Sequence, residues 1–162
     1  MSIMTASTRT RKKLPRSDVF VGAFDLFRIG IGPSSSHTVG PMRAAASFLA
    51  WADENGTLSR ADRISCDLFG SLAMTGVGHG TDVAVIAGLN GAEPETVDPD
   101  DIPFFFERAK ASGRIDDGLA RGLAFQPTDD LRFRFGEFLP GHPNAMTFTL
   151  SSGTLSLASP LV

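Results

Sequence analysis

The chain has 162 residues, of which 42% are hydrophobic and 20% charged, a balance that suits one globular domain with a real core and excludes a disordered or fibrous protein. Its net charge of -3 hides an asymmetry: Arg9, Arg11, Lys12, Lys13 and Arg16 are all basic and no acidic residue precedes Asp18, which leaves 10 basic against 18 acidic side chains for the rest. That acidic body speaks against nucleic-acid binding. No apolar run reaches membrane-spanning length and no secretory apolar region is present, so no membrane partner is expected and the expected location is cytoplasmic. The single cysteine, Cys66, excludes an intrachain disulfide framework and cannot alone hold a zinc or iron–sulfur site.

Residues 1–17 read as a basic, disordered leader. From Val19 to Ile29, Phe20, Phe24, Leu26, Phe27 and Ile29 begin the folded body, with a helical turn expected through Phe24–Phe27. The next stretch, residues 30–41, sets Ser34, Ser35, Ser36, His37 and Thr38 between glycines and prolines. Five side chains in a row offer hydroxyl or imidazole groups too polar to bury without partners. Gly40 and Pro41 read as the cap and first position of a helix, and a polar loop ahead of a helix N-terminus suits an anion. The competing reading is that the serines only cap and turn the chain.

Met42, Ala45, Ala46, Leu49 and Ala52 then give one apolar stripe, predicting a helix over 41–54 that Asn55-Gly56 ends. Arg63–Phe69 reads as a strand, with Ile64, Cys66 and Leu68 on one face and Ser65 and Asp67 on the other. Cys66 is then a small buried residue rather than a reactive thiol. Residues 70–82 look like a glycine-rich loop in which Gly76, Gly78 and Gly80 bracket His79, ahead of an apolar helix Val83–Leu89 closed by Asn90-Gly91. A dinucleotide fingerprint is a poor match, because the spacing is not G-x-G-x-x-G. Asp100 or Asp101 is expected to cap a helix from Ile102 to Ser112, with Gly113 past its end and Phe104, Phe105 and Phe106 used in packing. Leu119–Phe125, Leu131–Phe138 and Ala145–Leu150 read as strands. In the second, Leu131, Phe133 and Phe135 are expected on one buried face, and residues 139–144, including His142, read as a hairpin turn to the third. Helices first and strands later make an α+β class, with a mixed or antiparallel sheet and helices packed on it.

Taken together, three segments resemble the β domain of the bacterial iron–sulfur L-serine dehydratases: Phe24 to Ala45, with its run of three serines, His37 and Thr38; Gly70 to Asp82 around His79; and His142-Pro143-Asn144. The resemblance runs from about Ser17 to about Gly153. It implies a β domain over 18–155, a truncated tail over 156–162, and a fold similar to the allosteric substrate-binding domain of phosphoglycerate dehydrogenase. It also implies conversion of L-serine to pyruvate and ammonia, with a [4Fe-4S] cluster as Lewis acid toward the serine hydroxyl and a protein base at the α-proton. His37 and His79 become the candidate acid–base residues, with Thr38 beside them, because an ordinary imidazole titrates near neutral pH. Ser34, Ser35, Ser36, Thr81 and Asn144 become candidate substrate contacts. The cluster cysteines of that family belong to an α domain, on the same chain or a partner chain, which this sequence lacks. No metal ligand is therefore expected here, the isolated chain is expected to fold without dehydratase activity, and a homo-oligomer is expected. The alternative is a non-catalytic domain that binds an amino acid or small anion.

Overall fold

The computed structural model describes residues 34–116 and 122–158. The leader, the turn through Phe24–Phe27, the glycines before Ser34, and the first residues of the expected strand Leu119–Phe125 lie outside them.

Strand β1, Arg63–Gly70, is the spine of the molecule. Its alternation places Ile64, Cys66 and Leu68 in the core, fully buried. Antiparallel β5, Asn144–Ser152, runs along its whole length on one side, from Arg63 opposite Ser151 to Gly70 opposite Asn144. On the other side two short strands lie parallel to it end to end: β3, Leu123–Ala124, and β4, Leu131–Phe133. The outer strands β2, Arg114–Ile115, and β6, Leu155–Ala158, complete a six-stranded mixed sheet. β6 is a strand that the sequence reading does not anticipate.

Helices α1, Val39–Glu54, α3, Thr81–Leu89, and α4, Ile102–Ser112, join one apolar core with the Ile64–Leu68 face of β1. α3 is apolar all round, and Ala84 to Leu89 are buried without a gap, as such a helix requires. It lies so close to α1 that a Cβ on Gly88 would collide with the Met42 carbonyl and stand 2.9 Å from the Ala45 methyl. The opposite face of β1 is polar. There Asp67 is gripped by Arg132 (2.8 and 2.6 Å) and Arg134 (2.6 Å). Burial raises the carboxyl pKa, but the hydrogen bonds and charges of the two guanidiniums outweigh it and hold Asp67 below the usual carboxylate range. Arg63 and buried Asp130 form a second bidentate pair at 2.9 and 3.0 Å.

Several expectations change. The first helix begins at Val39, two residues early, and Pro41 falls before the first intrahelical bond, Met42 N–H to Thr38 O at 3.0 Å, so its missing donor costs nothing. The segment expected as a glycine loop is a helix, α2, Ser71–His79. Two glycines weaken its intrinsic propensity, but burial of Leu72 and Ala73 against the sheet overrides this. Gly80, left-handed at φ 74°, ends α2 and turns the chain by 89° into α3. The helix Ile102–Ser112 is as expected, although the Asp side chain that caps its approach is Asp98, which accepts from Asp100 N–H at 3.0 Å. The strand from Leu131 stops at Phe133, and Phe135 is 67% exposed rather than buried. Residues 139–144 are not a hairpin turn either. β4 and β5 flank opposite sides of β1, so this connection passes over the C-terminal end of β1, where Gly70 N–H donates to Glu137 O (2.9 Å) and Ser71 N–H to Pro143 O (3.0 Å).

Candidate active site

The three polar segments meet at the C-terminal end of β1. Residues 34–38 form a turn before α1, with His37 N–H donating to Ser34 O (3.0 Å) and Gly40 N–H to Ser35 O (3.1 Å). His37 points from this turn to the start of α2. Its Nδ1 lies 3.0 Å from Ser36 Oγ and 3.3 Å from Ser34 Oγ. Its Nε2 lies 3.0 Å from Thr75 Oγ1 and 3.4 Å from Ser71 Oγ.

The hydroxyls that meet Nε2 of His37 also reach fixed acceptors. Thr75 directs its hydroxyl proton to Ser71 O (2.9 Å), and Ser71 directs its own to Asn144 Oδ1. With those two protons so placed, both oxygens accept from Nε2–H, and Nδ1 accepts from the Ser36 or Ser34 hydroxyl.

His79 is held differently. At the last residue of α2 it lies one turn beyond Thr75 and donates Nδ1–H to Thr75 O at 2.8 Å. A carbonyl can only accept, so the lone pair of His79 lies on Nε2. The two rings sit 5.1 Å apart between centroids, tilted by 37°. A single small molecule can touch both.

Of the residues singled out from sequence, His37, His79, Ser34, Ser36 and Asn144 converge on this one half-exposed surface. Ser35 lies on the exposed outside of the turn, and its carbonyl serves Gly40. Thr38 and Thr81 are buried behind the imidazole. Thr38 donates to Ser34 O (2.8 Å) and Thr81 to His37 O (2.7 Å), so both hydroxyls brace the backbone of the turn. Sequence reasoning missed Ser71 and Thr75. The signal was their spacing: residues 71, 75 and 79 fall on one helical face, which is invisible while the segment is read as a loop. His142 is exposed, and its Nδ1 lies 2.8 Å from the backbone O and 3.0 Å from the backbone N of Asn144, so it contacts the residue this loop delivers.

Asp82, in the first turn of α3, has one carboxylate oxygen, Oδ1, that is buried and without a hydrogen-bond partner. Burial raises its pKa, and the backbone N–H groups of Val83 and Asp82 offset only part of this.

A cluster bound through this chain would need thiolates on the surface. Cys66 is fully buried, and burial, followed by the neighbouring Asp67 charge, pushes its thiol far above the ordinary range. No group of three His, Cys, Asp or Glu side chains among the described residues converges as a metal site. The residues present do not fit an iron–sulfur cluster as its ligands.

The family model described as "Serine dehydratase beta chain" matches residues 22–159. L-serine dehydratase TdcG of Escherichia coli is 44% identical over 148 residues, covering 86% of this chain and 31% of the relative. An L-serine dehydratase of Streptomyces coelicolor is 46% identical over 127 residues, covering 78% and 28%, and one of Mycobacterium bovis is 46% identical over 131 residues, covering 80% and 28%. The chain thus spans about three-tenths of the length of the relatives it matches. On a match that takes in every described residue, including His37 and His79, the chain belongs to the serine dehydratase beta-chain family.

Proposed function

We propose that this chain is the β-domain part of an L-serine dehydratase and supplies the acid–base side of the elimination that converts L-serine to pyruvate and ammonia. The observation that carries this reading is the pair of imidazoles 5.1 Å apart, set among the hydroxyls of Ser34, Ser36, Ser71 and Thr75.

His79 is the base. Its Nδ1–H is anchored on Thr75 O, and its Nε2 lone pair accepts the proton from Cα of the substrate. The electron pair of that bond forms the Cα=Cβ bond, and the hydroxyl leaves Cβ with its bonding electrons and becomes water with the proton that His79 then gives up, which restores the base. The product is 2-aminoacrylate, which tautomerises to the imine and is hydrolysed by water to pyruvate and ammonia. The hydroxyls of Ser34 and Ser36 and the amide of Asn144 hold the substrate's polar groups. Thr38 and Thr81 keep the His37 turn in place. No described residue of this chain fits as a cluster ligand. A [4Fe-4S] cluster of the kind the family resemblance implies belongs to the protein outside the matched segment, as does the electrophile for the leaving hydroxyl. A cytoplasmic location accords with this role, and no single described helix is long and apolar enough to cross a membrane.

The test is a chimera in which this chain replaces the matched segment of TdcG, assayed anaerobically for serine-dependent pyruvate. The isolated chain is expected to be inactive and the chimera active. His79→Asn is expected to lower kcat by about 10²–10⁴-fold. A folded chimera without pyruvate formation, or His79→Asn at full rate, refutes the reading.

The non-catalytic alternative draws on one observation: the hydroxyl cluster around His37 is assembled within this chain alone. Calorimetry with L-serine on the isolated chain separates the two. Micromolar binding that survives His37→Ala and His79→Ala together favours a sensor.

A further inference from the structure

Helix α2 has two apolar faces, and only one is used inside the domain. Leu72, Ala73 and Gly76 are buried, whereas Met74, Thr75, Val77 and Gly78 all face outward. Met74 and Val77 leave 61% and 64% of their surface in water. Gly78 stands beside them, since 74, 77 and 78 share one helical face. A Cβ on Gly78 would meet nothing within 4 Å, and its φ is an ordinary helical one. Glycine inside a helix costs about 1 kcal/mol relative to alanine. Gly76 has an internal reason, because Thr81 and Phe133 would stand 3.1 and 3.2 Å from a Cβ there. Gly78 has none among the described residues.

Two further exposed aromatic side chains lie near α2. Phe133, which packs on Gly76, stacks with the exposed Phe135 at 6.1 Å, and Phe138, 63% exposed, lies over Gly70 at the helix start. Bare side chains of this kind in one place mark a contact surface rather than a finished exterior. Relatives of this chain carry about 70% of their length outside the matched segment.

We infer that the outward face of α2, with Phe135 and Phe138 beside it, is the surface on which the remainder of an L-serine dehydratase packs, with Gly78 at the point of closest backbone approach. The inference rests on the dehydratase reading and deepens it. Glycine there lets another backbone pass within the space a side chain would fill, directly beside His79. The same contact would close the site over the two imidazoles.

Methionine oxidation provides the readout, because Met74 is exposed while Met42 and Met146 are buried internal controls. In the isolated chain Met74 should oxidise quickly. In the TdcG chimera it should oxidise at least about ten-fold more slowly, as burial excludes the oxidant. Gly78→Leu should leave the isolated chain as stable or more so, Leu being the better helix former, but should restore rapid Met74 oxidation in the chimera. Met74 oxidising equally fast in an active chimera overturns the docking surface while leaving the dehydratase reading intact. A protected Met74 without pyruvate formation upholds the surface and refutes the activity. Should the chimera not assemble, hydroxyl-radical footprinting of intact TdcG decides: its helix aligned with Ser71–His79 is expected to be protected, and labelling at solvent level overturns the inference.

Discussion

Replacing Gly70 by alanine tests how the end of β1 builds the site. Gly70 has φ 57° and ψ −130°, a conformation that side-chain-bearing residues hold only with strain of about 1–3 kcal/mol. A Cβ there would also collide with the Pro143 carbonyl oxygen and stand 3.0 Å from its carbon. That obstacle is backbone, fixed by the Ser71 N–H bond to Pro143 O, so relief means moving the loop and losing a bond of about 1 kcal/mol. With a further overpacking cost of about 1 kcal/mol, the expected loss is about 4 kcal/mol. This is a large part of a total stability of about 5–15 kcal/mol. Because Pro143 precedes Asn144, the same shift pulls Asn144 off Ser71 and loosens the acceptor that orients His37. The assay is urea unfolding followed by fluorescence of Trp51, the single tryptophan. Gly56→Ala is the control: φ is 65° there, but nothing lies within 4 Å of the new methyl, so only strain of about 1 kcal/mol is expected. If Gly70→Ala and Gly56→Ala differ by less than about 1 kcal/mol, the steric reasoning is refuted.

Gly88→Ala sets two effects against each other. Alanine gains about 1 kcal/mol of helix propensity, but collision with the Met42 carbonyl costs about 3 kcal/mol, so Tm should fall, and a rise would refute the close-packing account. Asp67 has a folded pKa below its unfolded one, so its pairing with Arg132 and Arg134 stabilises the fold above about pH 4 and is lost as pH falls through the lowered value. Asp67→Asn should therefore cost about 2 kcal/mol at pH 7 and much less near pH 2, as measured by denaturant titration at both pH values. Asp82 has the opposite sign: its raised pKa makes the ionised form a burden that appears as pH rises through the folded value. Asp82→Asn should raise stability at pH 7 by about 1 kcal/mol, with no gain near pH 3, and equal gains at both would refute the assignment.

The elements with a single strong period were legible from sequence. The apolar stripe of α1, the alternation of β1 and the span of α4 needed only local rules. α2 was not legible, because its helix is stabilised by burial of Leu72 and Ala73 against a sheet whose other strands all come later in the chain, from Arg114 onward. β4 was overextended because Arg132 and Arg134 do share a face, both reaching Asp67, while Phe135 beyond them leaves the sheet. The two histidines and the serine turn were visible as candidates. Their meeting depends on the packing of α1 against α3 and on the contacts of the His37 turn with α2 and Thr81, which no local pattern encodes. Ser71 and Thr75 were hidden for the same reason as α2.

The central place of β1 also bears on how the protein is made. Every strand that pairs with β1 lies at least fifty residues downstream, and its full-length partner, β5, ends only at Ser152. On the ribosome, α1, β1, α2, α3 and α4 all emerge with that strand's backbone unpaired on both flanks. Synthesis rate and chaperone access during that interval should govern how much soluble protein a cell recovers.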